Sequence, residues 1–155
     1  MISTNSVSQR TRDLLKWEVA NIQSFLDGFD TPLNGERRRV QLGPTGEYLV
    51  IQNLPLPDGY QPDYVDVLLL LDKYPAVPPI GLYILNKANA ALMAQLETKF
   101  NAFRNNAHHD AEGIMGYTWI CYHYGSNSWK FKGDSPARGD NIRKFIGSFF
   151  AELNK

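Results

Sequence analysis

The segment Tyr74-Pro75-Ala76-Val77-Pro78-Pro79 cannot continue a β-strand. Three prolines in six residues fix φ and remove backbone donors, so the segment predicts a rigid corner. What flanks it is the opposite in character. Tyr64 to Leu71 is apolar and β-branched enough for a buried central strand, and Ile80 to Leu85 reads as the strand that leaves the corner. Upstream, Val40 and Leu42 alternate with polar residues, Gly43-Pro44-Thr45-Gly46 is a turn, and Tyr48 to Leu54 is a further strand. Pro55 to Pro62 is a loop. Four neighbouring strands joined by short links predict an antiparallel meander.

Helices are expected on either side of these strands. Leu15, Val19, Ile22 and Leu26 recur at helical spacing between Gln9 and Gly28, with Trp17 and Phe25 adding bulk and Gly28 as C-cap. A polar link, Asp30 to Glu36, follows. Ala88, Ala91, Leu92, Leu96, Phe100 and Phe103 predict a second helix over Asn86 to Asn105. The stretch from Ala107 to Lys132 reads as irregular. A final helix over Asn141 to Leu153 carries the stripe Ile142, Phe145, Ile146, Phe149, Phe150 and Leu153, with Asp140 as N-cap. Helix, strands, then helices is an α+β order. The reading is one domain over 1–155, with 1–8 flexible and 86–106 an inserted helix.

The composition narrows the function classes. The 155 residues are 43% hydrophobic and 21% charged, the profile of a globular chain able to bury a core. Sixteen basic residues balance sixteen acidic ones, which argues against a nucleic-acid binder that works by phosphate neutralisation. The one basic cluster, Arg37-Arg38-Arg39, reads as a turn and strand start, or as a surface for a partner protein. No run approaches a membrane span or signal peptide. A single cysteine, Cys121, forms no internal disulfide, which fits a reducing cytoplasmic setting. One Cys and three His, two of them adjacent, lack zinc spacing, and no Gly-rich phosphate loop occurs, so neither metal nor nucleotide cofactor is expected.

Tyr74-Pro-x-x-Pro-Pro between two strands resembles the signature of the ubiquitin-conjugating (E2-like) superfamily, shared with RWD domains. Further residues extend the likeness. Gly116-Tyr117-Thr118-Trp119-Ile120-Cys121 resembles the family's approach to its catalytic cysteine, and Trp129 follows at about the family's spacing. His108-His109-Asp110 stands where the family's His-Pro-Asn element falls. Leu54-Pro55-Leu56-Pro57-Asp58-Gly59-Tyr60, Val65-Asp66-Val67-Leu68-Leu69, Thr118-Trp119 and Trp129 look like the bacterial group called prokaryotic E2 family E. The resemblance implies a UBC-like fold and a cysteine that accepts a ubiquitin-like protein from an E1-like activating enzyme. It also implies bacterial operons that include a JAB-type peptidase, some serving antiphage defence. The family's oxyanion-stabilising Asn has no clean counterpart here. Asp110 is nearest, and its carboxylate would repel an oxyanion unless protonated. His123 stands where many E2 proteins carry Asp.

Under that likeness Cys121 is the acyl acceptor, and an imidazole of His123, His109 or His108 would raise its thiolate fraction or take a proton from the incoming amine. The plain alternatives stay open. Cys121, flanked by Ile120 and Tyr122, also fits a small buried hydrophobe, and the histidines fit solvated loop positions. Tyr117, Trp119, Tyr122, Tyr124 and Trp129 read as packing residues. A silent E2 variant or RWD-like module that only binds a ubiquitin-like protein or a ligase is the competing function.

Overall fold

The computed structural model describes residues 9–30, 35–60, 63–71, 74–79, 82–85, 90–100, 102–104, 117–120, 122 and 129–155. Its elements run α1 (Gln9–Leu26), β1 (Arg39–Leu42), β2 (Tyr48–Pro55), β3 (Tyr64–Leu70), β4 (Leu82–Leu85), α2 (Ala90–Glu97), β5 (Ala102–Arg104), β6 (Tyr117–Ile120) and α3 (Ile142–Leu153). The chain is a small α+β domain whose N- and C-terminal helices flank an antiparallel sheet.

The sheet order is β1-β2-β3-β4-β6-β5, antiparallel throughout. The expected meander supplies its first four strands. Two strands exceed the expectation. β6 lies in the stretch read as irregular, and β5 lies where a helix was read through to Asn105. The helix stops early at Glu97. Thr98, a poor helix former, turns its Oγ1 back onto the Gln95 carbonyl (2.7 Å), and the chain turns over Thr98–Phe100. The inserted element is therefore an eight-residue helix followed by an edge strand, rather than one long helix.

Strand alternation builds two apolar layers. Leu49, Ile51, Val65, Val67, Leu69, Leu82, Ile84 and Ile120 join the main core with Leu15, Ile22 and Leu26 of α1 and Ile142, Phe145, Ile146, Phe149 and Leu153 of α3. The other face carries Leu68, Tyr83 and Trp119, neighbours in register across β3, β4 and β6, with Tyr48, Val50, Leu70 and Tyr117 against them. In β2 the register shifts between Ile51 and Leu54. There Asn53, at φ 60, gives its amide N–H to Asp66 Oδ1 (2.9 Å) and its side-chain nitrogen to the Arg37 carbonyl (3.2 Å).

α3 is held at both ends. Its N-cap is Asn141 rather than the expected Asp140. Asn141 has the extended backbone of a cap, and its side chain accepts from Lys144 N at 3.0 Å. Asp140 is used elsewhere, its carboxylate accepting from Lys130 N at 2.6 Å. At the same end Glu18 of α1, fully buried, accepts from Ile142 N with both oxygens (3.2 and 3.4 Å). Burial drives this carboxyl from its ordinary 4.5 up to about 8, against the opposing pull of the Ile142 N–H. At the C-terminal end Tyr60 donates to the Leu153 carbonyl (2.8 Å), and Lys99 Nζ donates to those of Glu152 (3.1 Å) and Lys155 (2.6 Å). Gly28 does not act as a left-handed cap of α1: it has no positive φ, and its N–H meets the Phe25 carbonyl at 3.3 Å. Among the described residues no helix is long and apolar enough to cross a membrane.

Candidate functional site

β6 carries the chain to the position of interest. It is an interior strand, paired with β4 on one side (Leu82↔Ile120) and β5 on the other (Ala102↔Ile120). Ile120 is wholly buried in the main core. Two positions on, Tyr122 is buried as well. Its ring meets Phe145 and Phe149 of α3, both at 5.4 Å, and Phe100 at 6.2 Å, edge-on in each case. Its hydroxyl bonds Ser148 of α3. Burial raises the Tyr122 phenol above its ordinary range, partly offset by the Ser148 bond. Cys121 stands in sequence between these two anchors and lies outside the described residues, as do His108, His109, Asp110 and His123.

The proline corner meets the chain that follows. Tyr74 is buried, and the Tyr74–Pro75 peptide is cis. Trp129 Nε1 donates to the Pro75 carbonyl at 2.9 Å, and the Tyr74 and Trp129 rings pack edge-on with centroids 6.0 Å apart. Phe131 adds a ring 6.5 Å from Tyr74. The two motifs that carried the resemblance, 54 residues apart, are thus in direct contact. A carbonyl inside the corner has no strand to pair with, and the indole N–H satisfies it.

The loop after Trp129 is closed by a reciprocal pair: Asp140 N donates to the Lys130 carbonyl (2.8 Å) and Asp140 Oδ2 accepts from Lys130 N. Gly139 makes this closure possible, because a Cβ there would lie 2.7 Å from Lys132 N and 2.8 Å from Lys130 O. Lys144 Nζ then binds the Gly139 carbonyl (2.7 Å) and ties the loop to α3.

Between this loop, the proline corner and the start of α1 lies a groove of about 360 Å³. Pro75, Phe131 and Pro136 form one wall, and Leu14, Trp17 and Arg10 form part of the other. Arg10 lies against Gly133, where a Cβ would stand 3.0 Å from its Nη2. The first helix and the proline corner, through Pro75, share this groove; neither Pro57 nor Pro78 lines it. Phe131 and Arg10 were not anticipated. The signal for the α1 wall was Trp17, a tryptophan set off the apolar stripe of its helix.

A scan of protein-family models, a search of curated proteins and a search of solved structures each return no match.

Proposed function

We propose that this chain is an E2-like domain of the UBC kind, closest in character to the bacterial E2 family E group, in which Cys121 accepts a ubiquitin-like protein. The observation that carries the reading is the Trp129 Nε1 bond to the Pro75 carbonyl. It joins the proline signature to the tryptophan that follows the cysteine, two features of the resemblance that lie far apart in the sequence. The helix–meander–helix order and the seating of Tyr122 on α3 are in keeping with it. The strands β5 and β6 extend the four-stranded pattern, so the domain is read as a variant of that fold.

In the proposed reaction the Cys121 thiolate attacks the carbonyl carbon of the thioester held by an E1-like enzyme. The E1 cysteine leaves as thiolate, and the acyl group is now on Cys121. An amine of the target then attacks this thioester, its proton passes to a base, and Cys121 leaves as thiolate. His123 and His109 are the proposed bases, ahead of Asp110. ATP is consumed on the E1-like partner. The groove between α1 and the proline corner is the proposed surface for that partner. The setting proposed is cytoplasmic, in a bacterial conjugation operon with a JAB-type peptidase.

The test is chemical. The protein is mixed with its cognate E1-like enzyme, ATP and the ubiquitin-like protein, and the products are run with and without reducing agent. A thiol-sensitive adduct lost in Cys121→Ala supports the transferase. No adduct, or one that survives Cys121→Ala, removes it. Retained binding of the ubiquitin-like protein would then identify a silent binding module.

A further inference from the structure

Among the described residues β1 is the outer strand of the sheet on one side, and such a strand leaves alternate N–H and C=O groups pointing away from its neighbour. The register says which. Gly43 N donates to the Tyr48 carbonyl at 2.8 Å, so odd-numbered positions of this strand face β2 and even-numbered positions face outward. The outward set includes the Arg38 carbonyl and the Val40 N–H. In an ordinary edge strand these are open to a passing strand.

Here both are taken by one side chain. Gln23 of α1 accepts from Val40 N with Oε1 (3.0 Å) and donates to the Arg38 carbonyl with Nε2 (3.0 Å). The C=O of one residue and the N–H two positions on are the pair that a single residue of a parallel neighbouring strand would engage. The carboxamide of Gln23 reproduces that two-point exchange. Its orientation is not arbitrary: the second Nε2 hydrogen goes to Asp27 Oδ1 (2.9 Å), so the amide can turn its oxygen only toward Val40. Around it the edge is uninviting, with Arg37, Arg39 and Gln41 exposed.

We infer that Gln23 is a plug on the β1 edge, a side-chain substitute for a seventh strand that keeps the edge from pairing with a second copy of this chain. The feature is independent of any chemistry at Cys121. It makes Gln23 a residue whose loss alters association more than folding, because the inward ladder to β2 does not use it.

Gln23→Ala, and Gln23→Met as a near-isosteric variant that keeps length and helix propensity, test this. Amide exchange is followed by NMR for Val40 and for Gly43, whose N–H belongs to the inward ladder. The expected result is exchange at Val40 faster by about five- to tenfold, the factor for one hydrogen bond of about 1 kcal/mol, with Gly43 unchanged. The same variants should show a mass by light scattering that rises with concentration beyond that of the parent chain. Wild-type exchange at Val40 in Gln23→Met, or mass curves that superimpose on the parent at all concentrations, would overturn the inference. If Gln23→Ala accelerates Gly43 as well, it has loosened the strand, and Gln23→Met decides the matter.

Discussion

Replacing Glu18 by glutamine should remove a pH dependence of stability built into the junction of α1 and α3. The carboxyl is fully buried, and its folded-state value of about 8 lies well above the ordinary 4.5. Between those limits the folded chain keeps a proton that the unfolded chain has released. Stability is therefore fully present below pH 4.5 and falls as pH rises toward 8, by about 1.4 kcal/mol per pH unit. The loss amounts to roughly 3 kcal/mol at pH 7 and on the order of 5 kcal/mol above pH 8. That is a large part of what holds a domain of this size together. The carboxamide oxygen introduced by Glu18→Gln can still accept from Ile142 N, so the helix end keeps its partner while the charge is gone. Two new amide hydrogens enter a buried site at a cost of about 1–3 kcal/mol, but that cost does not vary with pH. Urea unfolding, followed by tryptophan fluorescence at pH 4.5, 6, 7 and 8.5, separates the two. The parent chain should lose stability steeply across this range relative to Glu18→Gln, with the curves converging or crossing toward acid pH. Parallel curves would refute the reasoning, since all other titrating groups are common to both proteins.

Trp129→Phe keeps an aromatic ring against Tyr74 and deletes the donor to the Pro75 carbonyl; a loss of about 1 kcal/mol is expected, read by urea unfolding followed by circular dichroism. Asn141→Ala should cost about 1 kcal/mol through the lost N-cap, and Asp140→Ala should not mimic it by uncapping α3, a contrast that helix-resolved amide exchange at Lys144 would measure.

Where the physics was periodic, the chain could be read directly. The stripes of α1 and α3 give the right helices because each buries one face, and the apolar runs bounded by the proline corner give the right strands. β6 escaped because Thr118, Trp119 and Ile120 are all buried, so an interior strand with both faces covered shows no alternation. β5 escaped for a different reason. Phe103 falls at helical spacing from Leu96 and Phe100, and three residues are too few to show a period of two. Glu18 was hidden by its charge, although its place between Leu15 and Ile22 sets it on the buried stripe. Asp140 and Asn141 are adjacent and both cap well; only the extended backbone at Asn141 distinguishes them. For the site, the family resemblance pointed to both the proline corner and Trp129, but it could not reveal a hydrogen bond across 54 residues. Gln23 gave no signal, since a lone glutamine on a helix has no pattern to break.

α3 behaves as a beam supported at its two ends and loaded in the middle. Asn141 and Glu18 fix one end, Tyr60 and Lys99 fix the other, and Phe145, Ser148 and Phe149 between them seat Tyr122. Loosening either support adds lateral play at mid-span. Substitutions as distant from one another as Glu18 and Tyr60 should therefore be felt at the same place, the residue that follows Cys121 in the chain.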